Sequence, residues 1–141
     1  MATFTKINDF VKDIAHGVHK LNTDTLKIAI SNTAPSAETN DPSADGNGVI
    51  ANVTQATYSF AQDRVVSIGT SSQTGGTYTL TLNDKALKAT ANCGPFRYIY
   101  LFNDDSASDS LIGYWDYGSS FSLTLGETFT AEFSATTITL T

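Results

Sequence analysis

The sequence predicts an all-β domain: a two-sheet β-sandwich of jelly-roll type with one short amphipathic helix at its N-terminus. Three observations lead there. The last third of the chain is an almost unbroken series of short alternating stretches, 96–103, 111–117, 121–125, 129–133 and 136–141, with the period of two that a pleated strand imposes. Two of these, 96–103 and 111–117, are apolar on both faces, so something must cover both sides of them. Helical periodicity is convincing only near the start.

In that first segment, 5–18, Ile7, Phe10, Val11, Ile14 and Val18 recur at spacings of three and four, with Lys12, Asp13 and His16 elsewhere. Thr5 is the expected N-cap, with Asn8 three positions on, and Gly17 weakens the far end. The apolar stripe is narrow and suits one face of a sheet. Segment 25–31 then alternates Leu26, Ile28 and Ile30 against Thr25, Lys27 and Ser31, as a half-buried strand does. Residues 34–48 hold two of the three prolines and no large apolar side chain, which predicts a long exposed loop. Only a helix and one strand precede it, so 1–141 is read as a single domain.

A short strand is expected at 49–53 and another at 64–70, with Val66 and Ile68 on one face. A turn over 71–76 leads into 77–82, where Tyr78, Leu80 and Leu82 alternate with threonines. Asn83-Asp84 turns the chain into a weaker strand around Leu87, which Cys93-Gly94-Pro95 is expected to stop. A count of eight or nine strands suits a two-sheet sandwich, and eight strands in two Greek keys make a jelly roll.

In 96–103, Phe96, Tyr98, Tyr100 and Phe102 form one face and Arg97, Ile99 and Leu101 the other. In 111–117, Leu111, Gly113, Trp115 and Tyr117 lie opposite Ile112, Tyr114 and Asp116. Two arrangements satisfy such strands: a central position between the opposite sheet and the helix, or an intersubunit surface rich in aromatic side chains. Arg97 and Asp116, the only charges in these strands, are expected to pair across a sheet edge. The turn at Gly126-Glu127 cannot be a two-residue hairpin, because that register sets Leu125, Leu123 and Phe121 against Thr128, Thr130 and Glu132. Either a three-residue loop pairs them with Phe129, Ala131 and Phe133, or the two strands belong to different sheets.

Composition narrows function. With 14 acidic against 8 basic side chains and a net charge of −6 over 141 residues, no cationic run is available to neutralise a phosphate backbone, and direct nucleic-acid binding is not expected. Cys93 is the only cysteine, which fits synthesis in a reducing compartment. No segment has the pattern of a signal peptide or the length of a membrane span, so a soluble, cytosolically made protein is expected.

Candidate chemistry is sparse. His16 and His19 sit three apart without further ligands at a recognisable spacing, and read as surface imidazoles. The run 103–109 offers oxygen ligands but lacks the glycine and closing glutamate of a calcium loop. Cys93 has neither a base nor an electropositive setting nearby and reads as a small buried thiol. There is no Gly-x-Ser-x-Gly elbow, and Gly75-Gly76 is not followed by the Lys-Ser/Thr of a phosphate loop. No enzyme activity, cofactor or metal is expected. A partner interface is assigned to Phe10, Tyr114, Trp115 and Tyr117, since aromatic anchors dominate protein interfaces.

Three stretches carry a resemblance. An amphipathic helix precedes Asp24-Thr25-Leu26-Lys27-Ile28-Ala29-Ile30-Ser31-Asn32-Thr33-Ala34-Pro35. Gly94-Pro95-Phe96-Arg97-Tyr98 follows later, and Leu111-Ile112-Gly113-Tyr114-Trp115-Asp116-Tyr117-Gly118 runs on towards Leu125-Gly126-Glu127-Thr128-Phe129. Across nearly its whole length the chain resembles small virion proteins of tailed bacteriophages, above all capsid cement (decoration) proteins. The resemblance implies a jelly-roll sandwich on the capsid exterior that self-associates as a dimer or trimer and clamps neighbouring major capsid proteins. Two other roles fit a sandwich with aromatic strands: a carbohydrate-binding module using Trp115, Tyr114 or Tyr117 as a platform, and a tail or baseplate component.

Overall fold

The computed structural model describes residues 2–141. Its elements are β1 (Thr3–Lys6), α1 (Asn8–Ala15), β2 (Leu26–Ser31), β3 (Val65–Val66), β4 (Ile68–Thr74), β5 (Thr77–Leu82), β6 (Lys85–Lys88), β7 (Cys93–Asn103), β8 (Leu111–Leu123), β9 (Thr128–Ala131) and β10 (Thr137–Leu140). The strands make a five-stranded sheet, β1-β8-β7-β2-β3, a three-stranded sheet, β10-β5-β4, and a β6-β9 ribbon. All pairs are antiparallel. The fold is all-β with one short helix.

The two-sided strands are explained by position. β7 lies in the middle of the large sheet, with β8 on one side and β2 on the other. On one face, register aligns Ile30, Ile99, Trp115 and Phe4. On this face Trp115 lies against Phe133, and the core takes in Leu80, Leu82 and Ile138 of the small sheet. The opposite face carries Tyr98, Tyr100 and Tyr114, and residues 54–56 extend the sheet edge beside β2. Ser31 Oγ donates to the Thr54 carbonyl (2.6 Å) and the Ala56 N–H to the Ile30 carbonyl (2.8 Å).

Several boundaries differ from expectation. The expected helix start at 5 and 6 is instead the end of strand β1: Thr5 pairs with Tyr114 in the sheet, and the helix starts at Asn8 without a side-chain cap. Non-local pairing with β8 overrides the local helical pattern, as tertiary context commonly does. The shortened helix packs against β8 of the large sheet. Phe10 is inside, Ile14 faces a cleft shared with Tyr78 and Leu140, and Val11 is 54% exposed.

Residues 49–53 form a helical turn with one isolated bridge, Val49 to Ser110, in place of a strand. The hairpin turn is Gly75-Gly76 alone, both with positive φ (58° and 83°), so β4 runs on to Thr74. Cys93-Gly94-Pro95 opens β7 instead of ending the strand before it. Segments 111–117 and 121–125 are parts of one strand, because Gly118 (φ 83°) takes up a bulge where the register against β7 shifts.

At Gly126 the different-sheet alternative holds. Phe121 pairs with Phe96 of β7, whereas β9 pairs with β6. The Glu127 carboxylate ties the turn by accepting bonds from the Thr124 N–H (2.7 Å) and hydroxyl (2.6 Å).

The 34–48 loop is not free in solvent. Pro35, Pro42 and Gly48 are buried, and the segment is anchored by Asp9 of α1. A Cβ at Gly48 would come within 2.9 Å of both the Asp9 Cβ and the Ile7 side chain, so only glycine permits this approach.

Candidate docking surface

The four residues assigned to an interface separate into two groups. Phe10 and Trp115 are core residues, which corrects that assignment. Phe10 is fully buried against the His19 ring, and Trp115 is 2% exposed, wedged between Phe4 and Phe133 with its indole N–H donating to Thr136 Oγ1 (2.9 Å). A side chain that fills its own core has no surface left for a partner. Tyr114 and Tyr117 are half-buried and keep a face outward.

Tyr117 belongs to a larger aromatic group. Beyond the reach of β1 and β2, the β7–β8 ribbon continues alone, and on it Phe96, Tyr117 and Phe121 meet Phe129 of β9 with ring centroids 4.4 to 6.1 Å apart. Phe96 is buried and the other three are half-buried. Burial, with a small contribution from Glu132, pushes the Tyr117 hydroxyl up to about 12. At the adjoining turn Leu125 is 68% exposed. Sequence reading missed Phe121 and Phe129 as members of one surface, because they sit on strands of different sheets.

Arg97 and Asp116 do form a two-pronged pair, Nε to Oδ1 at 2.7 Å and Nη2 to Oδ2 at 3.1 Å. It lies between the two inner strands where β1 and β2 end, with Thr3 opposite Asp116 and Ser31 opposite Tyr98, the residue after Arg97, and not at a sheet edge. The Arg97 guanidinium holds the Asp116 carboxyl below its ordinary range, and Asp116 Oδ1 also accepts the Gly118 N–H (2.8 Å). The pair thus fixes the bulge at which the aromatic ribbon begins.

His19 is buried, unlike the surface imidazole expected, while His16 is exposed. Asn103 Nδ2 lies 3.0 Å from His19 Nδ1, and burial pulls the ring's pKa down against the opposing pull of Asp13 and Asp24. The ring is therefore neutral with its proton on Nε2, which has no partner among the described residues. The aspartates of 103–109 serve as loop ties: Asp105 accepts the Thr25 N–H (2.7 Å) and Asp104 pairs with Lys27 (2.9 Å). Among the described residues no three metal-ligating side chains gather. The Cys93 thiol is buried 3.6 Å from the Thr57 carbonyl.

Asp9 gave no signal in the sequence. Its carboxylate accepts the N–H groups of Gly46 (2.9 Å) and Gly48 (3.0 Å) and pairs with Lys12 (3.0 Å). Burial alone would raise its pKa, but the two backbone bonds and Lys12 outweigh it and the pKa is lowered. Position in the first turn of α1 adds the favourable helix dipole. Comparison of the chain with protein-family models, curated proteins and solved structures finds no match.

Proposed function

We propose that this chain is a structural virion protein of a tailed bacteriophage, a cement or decoration protein that binds the capsid exterior and bridges neighbouring major capsid proteins. It has no catalytic activity in this account and self-associates as a dimer or trimer. In this reading the fold is of jelly-roll type, and the crossings between sheets from β3 to β4, from β5 through β6 to β7 and from β8 through β9 to β10 support it.

The observation that carries the proposal is the aromatic end of the β7–β8 ribbon: Tyr117, Phe121 and Phe129 half-exposed beside the protruding Leu125. Apolar and aromatic side chains presented together at one end suit docking against another protein. The same rings argue against a sugar platform, which needs coplanar faces. Tyr117 meets Phe121 at 66° and Phe129 at 70°, both edge-on. Repetition over a capsid lattice lets each modest contact act through avidity.

The test is Leu125→Asp, at a site exposed enough to spare the fold. It should weaken binding to heads stripped of the protein by roughly 30-fold, the loss of one hot-spot side chain, with an unchanged melting temperature. Full-strength binding by the variant would refute the assignment of this surface.

A further inference from the structure

The exposed strand edges of this molecule are not treated alike. Lys6 lies on β1, and its ammonium reaches across to the Thr139 carbonyl of edge strand β10 (3.1 Å). Lys85 covers β3 by donating to the Val65 carbonyl (2.7 Å), and β6 carries Lys85 and Lys88. Lysines of this kind are a common guard against edge-to-edge pairing. β4 has none: from Val65 to Asn83 the chain holds no charged residue and no proline.

The unpaired backbone groups of β4 can be assigned. The two-residue turn makes Thr74 and Thr77 a hydrogen-bonded pair, so by alternation Ser72 faces β5 while Ser71 and Gln73 direct their N–H and C=O groups outward. Neither residue's backbone finds another partner among the described residues. Their side chains are already engaged, Ser71 Oγ with the Tyr78 hydroxyl (2.8 Å) and Gln73 Oε1 with the Gly76 N–H (2.7 Å). Beyond the register shift between Ile68 and Thr70, the edge is left open.

We propose that β4 pairs antiparallel with β4 of a second copy about a two-fold axis through Ser72, joining two three-stranded sheets into one of six strands. Charge selects this partner surface, because copies with a net charge of −6 repel except where they meet through a neutral patch. Register selects it too. With Ser72 opposite itself, Ser71 stands opposite Gln73 of the second copy, and the two outward residues exchange both of their backbone bonds. The axis repeats this, giving four bonds in all, and sets Thr70 against Thr74 with no apolar side chain facing a polar one. The pairing stops where the Gly75-Gly76 turn begins. It stands on the strand alone, wherever in a virion the protein resides.

Cysteine cross-linking tests it. On the axis, the opposed Ser72 Cα atoms would be about 4.5 Å apart, within the range a disulfide spans. Thr79, one strand further in on the same face, would be about 14 Å from its mate, three strand spacings away. Under mild oxidation Ser72→Cys should become mostly disulfide dimer and Thr79→Cys should stay monomeric, the buried Cys93 being common to both. In sedimentation equilibrium the unmodified chain should dimerise, and Ser72→Lys, which places two ammonium groups on the axis, should be monomeric, with the melting temperature that the unmodified chain has at dilutions where it too is monomeric. Equal cross-linking of both cysteine variants would overturn the proposal. So would a dimer that survives Ser72→Lys, or an unmodified chain that stays monomeric up to about 1 mM. Head binding enters neither measurement, so failure of this pairing and failure of the virion role are told apart.

Discussion

Replacing Asp9 by Asn keeps its shape and removes its charge, and the consequence can be worked from the contacts. The carboxylate receives two backbone N–H groups, from Gly46 and Gly48. An amide can accept only one of them and turns its own NH2 towards the other. One charge-assisted bond, about 1.5–3 kcal/mol, is lost, and the other falls to the roughly 1 kcal/mol of a neutral bond. The sum is about 2–5 kcal/mol, or about 10 °C in melting temperature for a domain of this size. Loss should appear first in the loop, so amide exchange at Gly46 and Gly48 should quicken more than exchange in β7. The effect also depends on pH. Since the folded Asp9 pKa is lowered from 3.8, its stabilisation is complete above the unfolded value and vanishes as pH falls through the folded one, and the variant should converge on the parent there. An unchanged denaturation midpoint at pH 7, or unchanged exchange at the two glycines, would refute the anchoring role.

Phe10→Ala should cost about 3–5 kcal/mol at every protein concentration, as expected of a core residue; a loss that faded on dilution would restore the interface assignment. Gly113→Ala should be strongly destabilising in thermal melts, because a Cβ there would strike the Phe4 ring and stand 2.6 Å from the Thr5 carbonyl oxygen, prising β1 from β8. Trp115, the only tryptophan, should emit blue-shifted fluorescence and resist iodide quenching; ready quenching would contradict its burial. His19, lowered from 6.5 chiefly by burial, should add stability that is complete above pH 6.5 and lost as pH falls through its folded pKa; a denaturation series with His19→Gln should lack that segment.

What could be read along the chain was whatever repeats locally. Alternation placed β2, β5 and most of β7, and the clash of partners at Gly126 excluded a two-residue hairpin, leaving a three-residue loop or strands in different sheets, of which the second holds. Local pattern failed where a distant partner decides. Thr5 and Lys6 stood at the start of the helical pattern that runs on from Ile7, yet β8, more than 100 residues later, takes them into a strand. The 34–48 segment has a loop's composition, but a single carboxylate 37 residues before Gly46 pins it down. The aromatic end was half legible. Tyr117 stood out on its strand, whereas Phe121 and Phe129 join it only through the sheet change at Gly126. Phe10 and Trp115 were misassigned for a related reason: large aromatic side chains suit a core and an interface equally, and only packing separates the two.

Binding of the purified protein to phage heads, to tails and to isolated major capsid subunits tests the virion role most directly. A capsid cement should co-sediment with assembled heads far more tightly than with free subunits, because the junction it spans exists only in the shell, and should restore heat resistance to heads that lack it. Binding that is equal for free subunits and heads, or retention only on tails or on a glycan column, would contradict it.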